Sequence, residues 1–382
     1  MAERRSSNVR KGKKKKKNNK ISKSLLIGGE VVALIVVVLV LIFVIKATKS
    51  QKVNINIPDP VDPVVNENNV TLDPIDKSDP AVAEVMDNYT TIACFGVDSR
   101  GKELQKGTRT DCIIICAINN DTGEARLASV YRDTLLNTNT KESPSYEKCN
   151  AAYAYGGPER AINMLNNCLD LYIDKFVTVG FNGVISTIDA VGGVDIDVQQ
   201  NEIKYLNDYQ SSMYSTETNT VITDNYVAVT QPGMQTLSGY QALAYCRIRY
   251  TAGDDYKRTE RQRNVVTQIV EKSKKLKPQA INKICNDVFP LVATNMDLTE
   301  DIIPMALDVS KYTIVDSTGF PFSDKITSGL LGGLGSCVIP LKYEENVEEL
   351  HKFLYPNLEY EASEAVKEVG QGIRNTTSPY GI

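Results

Sequence analysis

From Leu25 to Ile45 the chain reads LLIGGEVVALIVVVLVLIFVI, 21 residues with one ionisable group, Glu30. A helix of that length rises about 30 Å, the depth of a bilayer's hydrocarbon core, so the run predicts one transmembrane helix that divides the chain into a short N-terminal part and a long C-terminal part. A cleavable leader has a shorter apolar stretch closed by small residues, whereas this one runs on into KATKSQK; the sequence predicts a retained signal anchor. Residues 1–24 carry eleven of the 43 Lys and Arg residues beside a single acid, Glu3, leaving 32 bases against 46 acids in the remainder. A basic tail can grip nucleic acid or anionic lipid. Directly beside an apolar span it fits the positive-inside rule instead, which puts 1–24 in the cytoplasm, everything after Lys46 outside, and nucleic acid off the expected partners. Glu30 either snorkels to the interface or makes a polar contact in a helix oligomer.

Residues 46–85 read as a linker. Pro58, Pro60, Pro63, Pro74 and Pro80 stand among Asn, Asp and Val without a sustained period, the signature of a stiff, solvated spacer. Apolar residues make up 42% of the chain, enough for a well-filled core in the part beyond the linker. That part, 86–356, alternates strand-like and helix-like segments. TTIACFGVD (90–98), CIIICAIN (112–119) and EARLASVYRD (124–133) predict strands; PERAINMLNNCLDL (158–171) predicts a helix opened by Pro158. KFVTVGF (175–181) and VDIDV (194–198) predict strands on either side of a helix at 183–191 that Gly192-Gly193 ends. The order predicts an α/β domain: a central mixed sheet flanked by helices. Residues 205–230, rich in Ser, Thr, Asn and Tyr, read as an insertion or lid, LTEDIIPMALDV (298–309) as a helix, SCVIPL (336–341) as a strand, and 357–382 as a flexible C-terminal tail.

The eight cysteines are irregularly spaced, and most fall in apolar runs, which favours buried thiols over bridges. Cys112 and Cys116, four apart in a strand, lie about 13 Å from each other and cannot pair. With no C-x-x-C and one histidine, His351, a structural zinc site and Ser-His-Asp or Cys-His catalysis lack their residues. Neither a G-x-x-x-x-G-K-[ST] loop nor a G-x-G-x-x-G turn occurs, so nucleotide hydrolysis and dinucleotide chemistry lack their usual supports.

The remaining chemistry is anion handling. Asp98-Ser99-Arg100, Arg109-Thr110-Asp111 and Tyr131-Arg132-Asp133 lie at the ends of expected strands, where ligands of α/β sheets collect. Arg247 and Arg249 are two apart, so in an extended segment both guanidinium groups leave on one side, either into solvent or around a shared anion. In the helix expected from Arg258, one stripe holds Arg258, Gln262, Val265, Ile269, Ser273 and Leu276, while Glu260 and Arg263 point away. A buried stripe that begins with arginine and glutamine needs a polar partner, and phosphate at the helix N-terminus supplies one. Asp98 and Asp111 could hold a hard cation such as Mg²⁺, which takes one or two carboxylates with phosphate oxygens, or could be structural partners of nearby arginines.

These segments resemble the LytR-CpsA-Psr family of cell-wall glycopolymer transferases. FGVDSR (95–100), RTDCIII (109–115), SVYRDT (129–134), NAAYAYGGPERA (150–161), IDAVGGVDIDV (188–198), LSGYQALAYCRIR (237–249) and DDYKRTERQR (254–263) keep the family's order across residues 90–275. The resemblance implies an α/β sheet with an apolar pocket for a polyprenyl chain. It also implies transfer of teichoic acid, capsular polysaccharide or a similar polymer from undecaprenyl pyrophosphate to peptidoglycan. By the same resemblance Asp98 and Asp111 match the Mg²⁺-binding carboxylates, with Mn²⁺ as the other candidate ion. Arg109, Arg132, Arg247, Arg249, Arg258 and Gln262 match the pyrophosphate-binding set; Arg132 and Asp133 are the catalytic candidates. The sequence departs from the pattern at Tyr131, where proline is common, and at Cys112, where Thr or a small residue is usual; Tyr131 puts substrate choice in question. Pyrophosphate hydrolysis and a non-catalytic wall-binding or regulatory role are the alternative functions.

Overall fold

The computed structural model describes residues 51–52, 64–65, 71–72, 79–97, 104, 107–212, 226–249, 254–273, 291–296 and 311–382. The basic tail, the apolar run at 25–45, most of the linker, the expected helix at 298–309 and much of the expected lid lie outside them. No helix among the described residues is long and apolar enough to cross a membrane.

A short helix, Pro80–Asp87, with Asp79 accepting at its N-terminus, leads into the domain. Next come three long strands: β1 (Tyr89–Val97), β2 (Thr110–Asn119) and β3 (Glu124–Val130), each antiparallel to the next. Helix α1 (Asn150–Leu169) breaks its helical dihedrals at Gly156 and Gly157, so Pro158 opens a fresh segment where its missing N–H costs nothing. Then come β4 (Lys175–Val179), α2 (Phe181–Ala190), β5 (Val194–Val198), α3 (Ile203–Ser212), β6 (Gly233–Leu237), α4 (Gly239–Cys246), α5 (Asp254–Ser273), β7 (Val292–Thr294) and β8 (Thr313–Phe320). The hairpin β9 (Ile326–Leu331) and β10 (Gly335–Pro340) precedes α6 (Tyr343–Leu354) and α7 (Glu364–Thr377). The seven-stranded sheet runs Gln51–Lys52, β7, β4, β1, β2, β3, β8, with β1 parallel to β4 and β3 parallel to β8. It is the mixed sheet the element order predicts. Because β1, β3 and β4 point the same way and β2 opposes them, the carboxyl ends of those three and the amino end of β2 share one edge.

Period-two alternation gives the sheet two apolar faces. Phe95, Ile113, Ile115 and Phe176 point to the side covered by α1, α6 and α7. Cys94, Cys112, Cys116 and Val177 point to the side covered by α2, α4 and α5. The aromatic residues Phe95 and Phe176 fall on the first face, and the thiols of Cys94, Cys112 and Cys116 on the second. On the second side α2 and α4 approach closely: a Cβ on Gly239 would sit 2.3 Å from the Ile185 carbonyl oxygen, and Asp189 Oδ1 accepts from Gly239 N at 2.6 Å.

The expectation of a loose tail at 357–382 is overturned. Ser363 caps α7 by accepting from Val366 N, and Val366, Val369 and Ile373 lie buried on one helical stripe against the first face. That stripe is short, and Gly370, Gly372 and the terminal NTTSPYG weaken its helical signal in the sequence. Ile373→Ala should lower unfolding stability by roughly 2–5 kcal/mol, as measured by urea denaturation; an unchanged midpoint would return the segment to the status of a tail.

His351 is fully buried. Its Nε2 donates to the Leu169 carbonyl at 2.8 Å, and its ring stacks on Tyr360 at 3.7 Å between centroids. Burial pulls its pKa from 6.5 down to about 4. The unfolded chain therefore binds the proton first as pH falls. The contribution of the neutral ring is complete above pH 6.5 and declines toward pH 4, by roughly 3 kcal/mol in all. In His351→Phe, denaturation midpoints between pH 6.5 and 5 should flatten relative to the parent chain; identical slopes would contradict the assignment.

Candidate functional site

A cavity of about 660 Å³ opens at the shared sheet edge and runs inward between the second sheet face and helices α2, α4 and α5. Its interior is apolar: Cys94, Cys116, Leu127, Val177, Leu243 and Ile269 are among its wall residues. Six of the seven polar residues that the sequence places around diphosphate and metal and that fall in the described region stand at its opening as cations or an amide: Arg109, Arg132, Arg247, Arg249, Arg258 and Gln262. The seventh, Asp111, joins them on the wall. Asp98, one residue beyond β1, lies outside the described residues. Asp111 is the one carboxylate on this wall among the described residues.

Each arginine is held by different local chemistry. Arg132 comes just after β3, and its Nη1 donates to Asp111 Oδ1 at 2.5 Å, joining the carboxyl end of β3 to the amino end of β2. Its backbone is braced from α1: Asn150 N donates to the Arg132 carbonyl at 3.1 Å, and Cys149 Sγ approaches that carbonyl and the Tyr131 carbonyl at 3.3 Å. The same helix accepts from Gly107 N through the Ala154 carbonyl at 3.1 Å, which steadies the segment leading to Arg109. Thus the NAAYAYGG stretch backs two of the cavity's arginines, a role its sequence does not announce. Arg247 lies between aromatic rings, 5.2 Å from the centroids of Phe181 and Tyr209. The faces of those rings stabilise the cation without neutralising it.

Arg247 and Arg249 do reach one side, but not through an extended backbone. Arg247 caps α4 at φ −96° and ψ −7°, and its N–H returns to the Ala244 carbonyl. The chain leaves the helix as Arg247-Ile248-Arg249, and the turn out of α4 aims both guanidinium groups at the cavity.

On α5 the expected stripe holds where it is described: Arg258, Gln262, Val265 and Ile269 all line the cavity. Two details differ from the sequence-based expectation. The helix begins at Asp254, a full turn before Arg258, so its N-terminal donors are not at Arg258 itself. Arg263, expected to face solvent, has a buried Nη1 and lies near the Tyr131 ring. Glu260 meets the expectation, its side chain about half exposed and paired with Lys257 at 2.6 Å. Arg258 is 2% exposed, and Gln262 Oε1 is buried with no hydrogen bond among the described residues. A cavity wall that buries a guanidinium and an unsatisfied amide is built for a polar guest.

Asp133 is placed differently. Its carboxylate sits 3.6 Å from Arg132 Nε and 3.4 Å from Lys148 Nζ, and it does not line the cavity. Arg261 and Glu202, which no sequence pattern singles out, form a buried pair at 2.7 Å behind the arginine segment. The expectation of unbridged thiols holds for the seven described cysteines. Burial raises the pKa of Cys94, Cys116 and Cys246, so these wall thiols stay protonated. No group of three or more His, Cys, Asp or Glu side chains suited to a metal occurs among the described residues.

Comparison with known proteins agrees with this architecture. The model of the LytR_cpsA_psr family matches residues 47–331. Biofilm regulatory protein A of Streptococcus mutans is 31% identical over 228 residues, covering 58% of this chain and 53% of that protein. The polyisoprenyl-teichoic acid–peptidoglycan teichoic acid transferase TagV of Bacillus subtilis is 28% identical over 214 residues, covering 56% and 51%. The chain thus spans about half the length of these curated relatives. Protein gbs0355 from Streptococcus agalactiae superposes with a TM-score of 0.58 at 25% identity over 74% of this chain and 92% of that one. The crystal structure of B. subtilis TagV gives 0.53 at 25% identity over 72% and 98%.

The half-buried Cys112 lies nearer the opening than Cys94 and Cys116, to judge from the strand positions. Brief alkylation of the native protein, then peptide mapping, should show Cys112 modified before either of them, and the reverse order would contradict the direction of the opening.

Proposed function

This chain belongs to the LytR_cpsA_psr family, and from that premise we propose that it is a membrane-anchored transferase. It moves an anionic glycopolymer, teichoic acid, capsular polysaccharide or a similar polymer, from a polyprenyl pyrophosphate carrier to peptidoglycan. One observation carries this reading. A single cavity joins an apolar interior to a mouth where arginines from four distant stretches of chain converge. Its shape and polarity match an amphiphile with a hydrocarbon tail and a polyanionic head, and guanidinium suits the bidentate recognition of phosphate. The relatives named as teichoic acid transferases support the same class of substrate. In this reading the run at 25–45 anchors the chain, the basic tail stays in the cytoplasm, and the Pro-rich linker lets the domain reach lipid headgroups from outside.

Asp111, together with Asp98, the residue that follows β1 in the sequence, is the group we assign to a divalent ion, Mg²⁺ or Mn²⁺. The carboxylate is a hard ligand on a cavity wall crowded with phosphate-binding side chains, which fits an ion that shares its shell with phosphate. When bound, such an ion neutralises diphosphate charge. The residues of the chain do the rest. Arg132 and Arg258 hold one phosphate, Arg247 and Arg249 hold the second from the other flank, and the apolar wall keeps the tail aligned. The acceptor hydroxyl oxygen forms a bond to the phosphorus on the glycan side. The bond from that phosphorus to the bridging oxygen breaks, prenyl phosphate leaves with the electron pair, and the hydroxyl proton passes to a carboxylate. Asp133, tied to Arg132 and Lys148, serves by fixing the Arg132 head, which leaves Asp111 on the cavity wall as the proton acceptor.

Labelled prenyl-pyrophosphate-linked glycan, incubated with and without peptidoglycan, tests the proposal. We expect glycan to become wall-linked and prenyl phosphate to be released only with acceptor, and Asp111→Ala or Arg132→Ala to slow transfer by about 100-fold. Equal release without acceptor would make the protein a hydrolase. Full activity in both variants would make the charged cluster structural.

A further inference from the structure

Behind the arginine segment lies a charge pair that touches no part of the cavity. Arg261 and Glu202 side chains are 5% and 7% exposed, and Arg261 Nε donates to Glu202 Oε1 at 2.7 Å. Arg261 is one residue before Gln262, so on α5 it points about 100° away from the cavity stripe, toward α3 and α4. A pair taken so far out of water is weak evidence for stability, because desolvation offsets the attraction. Its remaining hydrogen bonds are more informative. Arg261 Nη1 donates to the Ile248 carbonyl at 3.1 Å. Ile248 is the residue between Arg247 and Arg249, beyond the end of α4, where the segment has left the helical ladder. Glu202 Oε2 in turn accepts from Gln199 N at 2.9 Å, and the Glu202 carbonyl accepts from Leu206 N at 2.8 Å, so the carboxylate also fixes the start of α3. Seven residues on, on the same face of α3, Tyr209 presents its ring to Arg247.

We infer that Glu202 and Arg261 are positioning residues of the anion site: one buried pair grips the Ile248 carbonyl directly and the Tyr209 ring through α3, so that Arg247 and Arg249 are held at the cavity although their like charges repel. The pair never meets the ligand. Guanidinium is required because a single head must serve the carboxylate and the carbonyl at once, through separate N–H groups of fixed geometry; an ammonium is a point donor. This inference rests on the proposed recognition of a prenyl diphosphate, and it adds a residue pair that controls how well the second phosphate is recognised.

The test uses the detergent-solubilised full chain, with geranylgeranyl pyrophosphate and geranylgeranyl monophosphate as probes and calorimetry as the readout, beside thermal midpoints. Glu202→Met and Arg261→Met should each lower the midpoint, since each strands a buried charge. The double variant Glu202→Met/Arg261→Met removes both charges and should recover most of that loss. If the pair only stabilises the fold, affinity recovers with it. As a positioning pair, its loss should leave pyrophosphate binding about tenfold weaker in the double variant while monophosphate binding changes by less than about twofold. Arg261→Lys, which keeps the charge and one contact, should fold and show the same narrowed preference for pyrophosphate. Parental preference for pyrophosphate in the double variant or in Arg261→Lys overturns the inference. Arg258→Ala reports separately on the site itself: a parent chain that does not bind the pyrophosphate, or an Arg258→Ala chain that binds it as tightly, overturns the proposed function and this inference with it.

Discussion

The structure depends on keeping several guanidinium groups together at the mouth of an apolar cavity. Cations crowded into a region of low dielectric repel one another more strongly than they would in water, and the fold must overcome this before any ligand arrives. Carboxylates are only part of the answer. Arg132 is given one at bonding distance on the cavity wall, Asp111. Arg247 is stabilised by two aromatic faces, and its neighbour's carbonyl is held from behind by Arg261. Supports of the second kind fix position while leaving positive charge in place, the condition an anion site requires.

The void itself lies on one face of the sheet, beneath α2, α4 and α5. Strands β1, β2 and β4 send Phe95, Ile113, Ile115 and Phe176 to one side, where they pack against α1, α6 and α7. To the other they send Cys94, Cys112, Cys116 and Val177, with Gly96 opposite Cys112 in the register. Even there the backbone leaves little slack, since a Cβ on Gly96 would stand 2.9 Å from Cys112 Cβ. On that side α2 and α4 meet closely where Gly239 lies against the Ile185 backbone. Thiols suit such a wall: small, apolar and, with pKa values raised by burial, unreactive.

Much of this was legible in the residues because it comes from run length and period. The short apolar runs at 90–98 and 112–119 mark buried strands, and the spacing of Arg258, Gln262, Val265 and Ile269 marks a helix face that stays polar as it enters the core. The features that escaped had no local period to betray them. Arg247 and Arg249 share a direction because a helix ends between them and the core, a fact of tertiary placement that an extended segment imitates. Arg261 sits in the middle of RTERQR with nothing to distinguish it from Arg263, and only the packing of α3 decides that one is buried against Glu202 while the other lies near Tyr131. The cap at Ser363 and the stripe of α7 were present in the sequence, but over too few turns to outweigh the glycines and the polar end.

The two departures from the family pattern now separate. Cys112 lines the cavity, so its thiol helps shape the wall along which a hydrocarbon chain would lie. Tyr131 does not line it. It is 8% exposed, packed edge-on against Tyr256 at 4.8 Å between centroids, with its hydroxyl where a Cβ on Gly319 would otherwise go. Proline at that position would leave the space beside Gly319 and Tyr256 unfilled. Tyrosine fills it and holds the Tyr256 ring, itself 37% exposed on the first turn of α5, at a set angle. Tyr131 therefore bears on the site through its neighbours: Arg132, next in the chain and on the cavity wall, and Tyr256, on a different flank of α5 from Arg258 and Gln262. The two positions thus lie in different settings, Cys112 on the cavity wall and Tyr131 off it, packed against Tyr256.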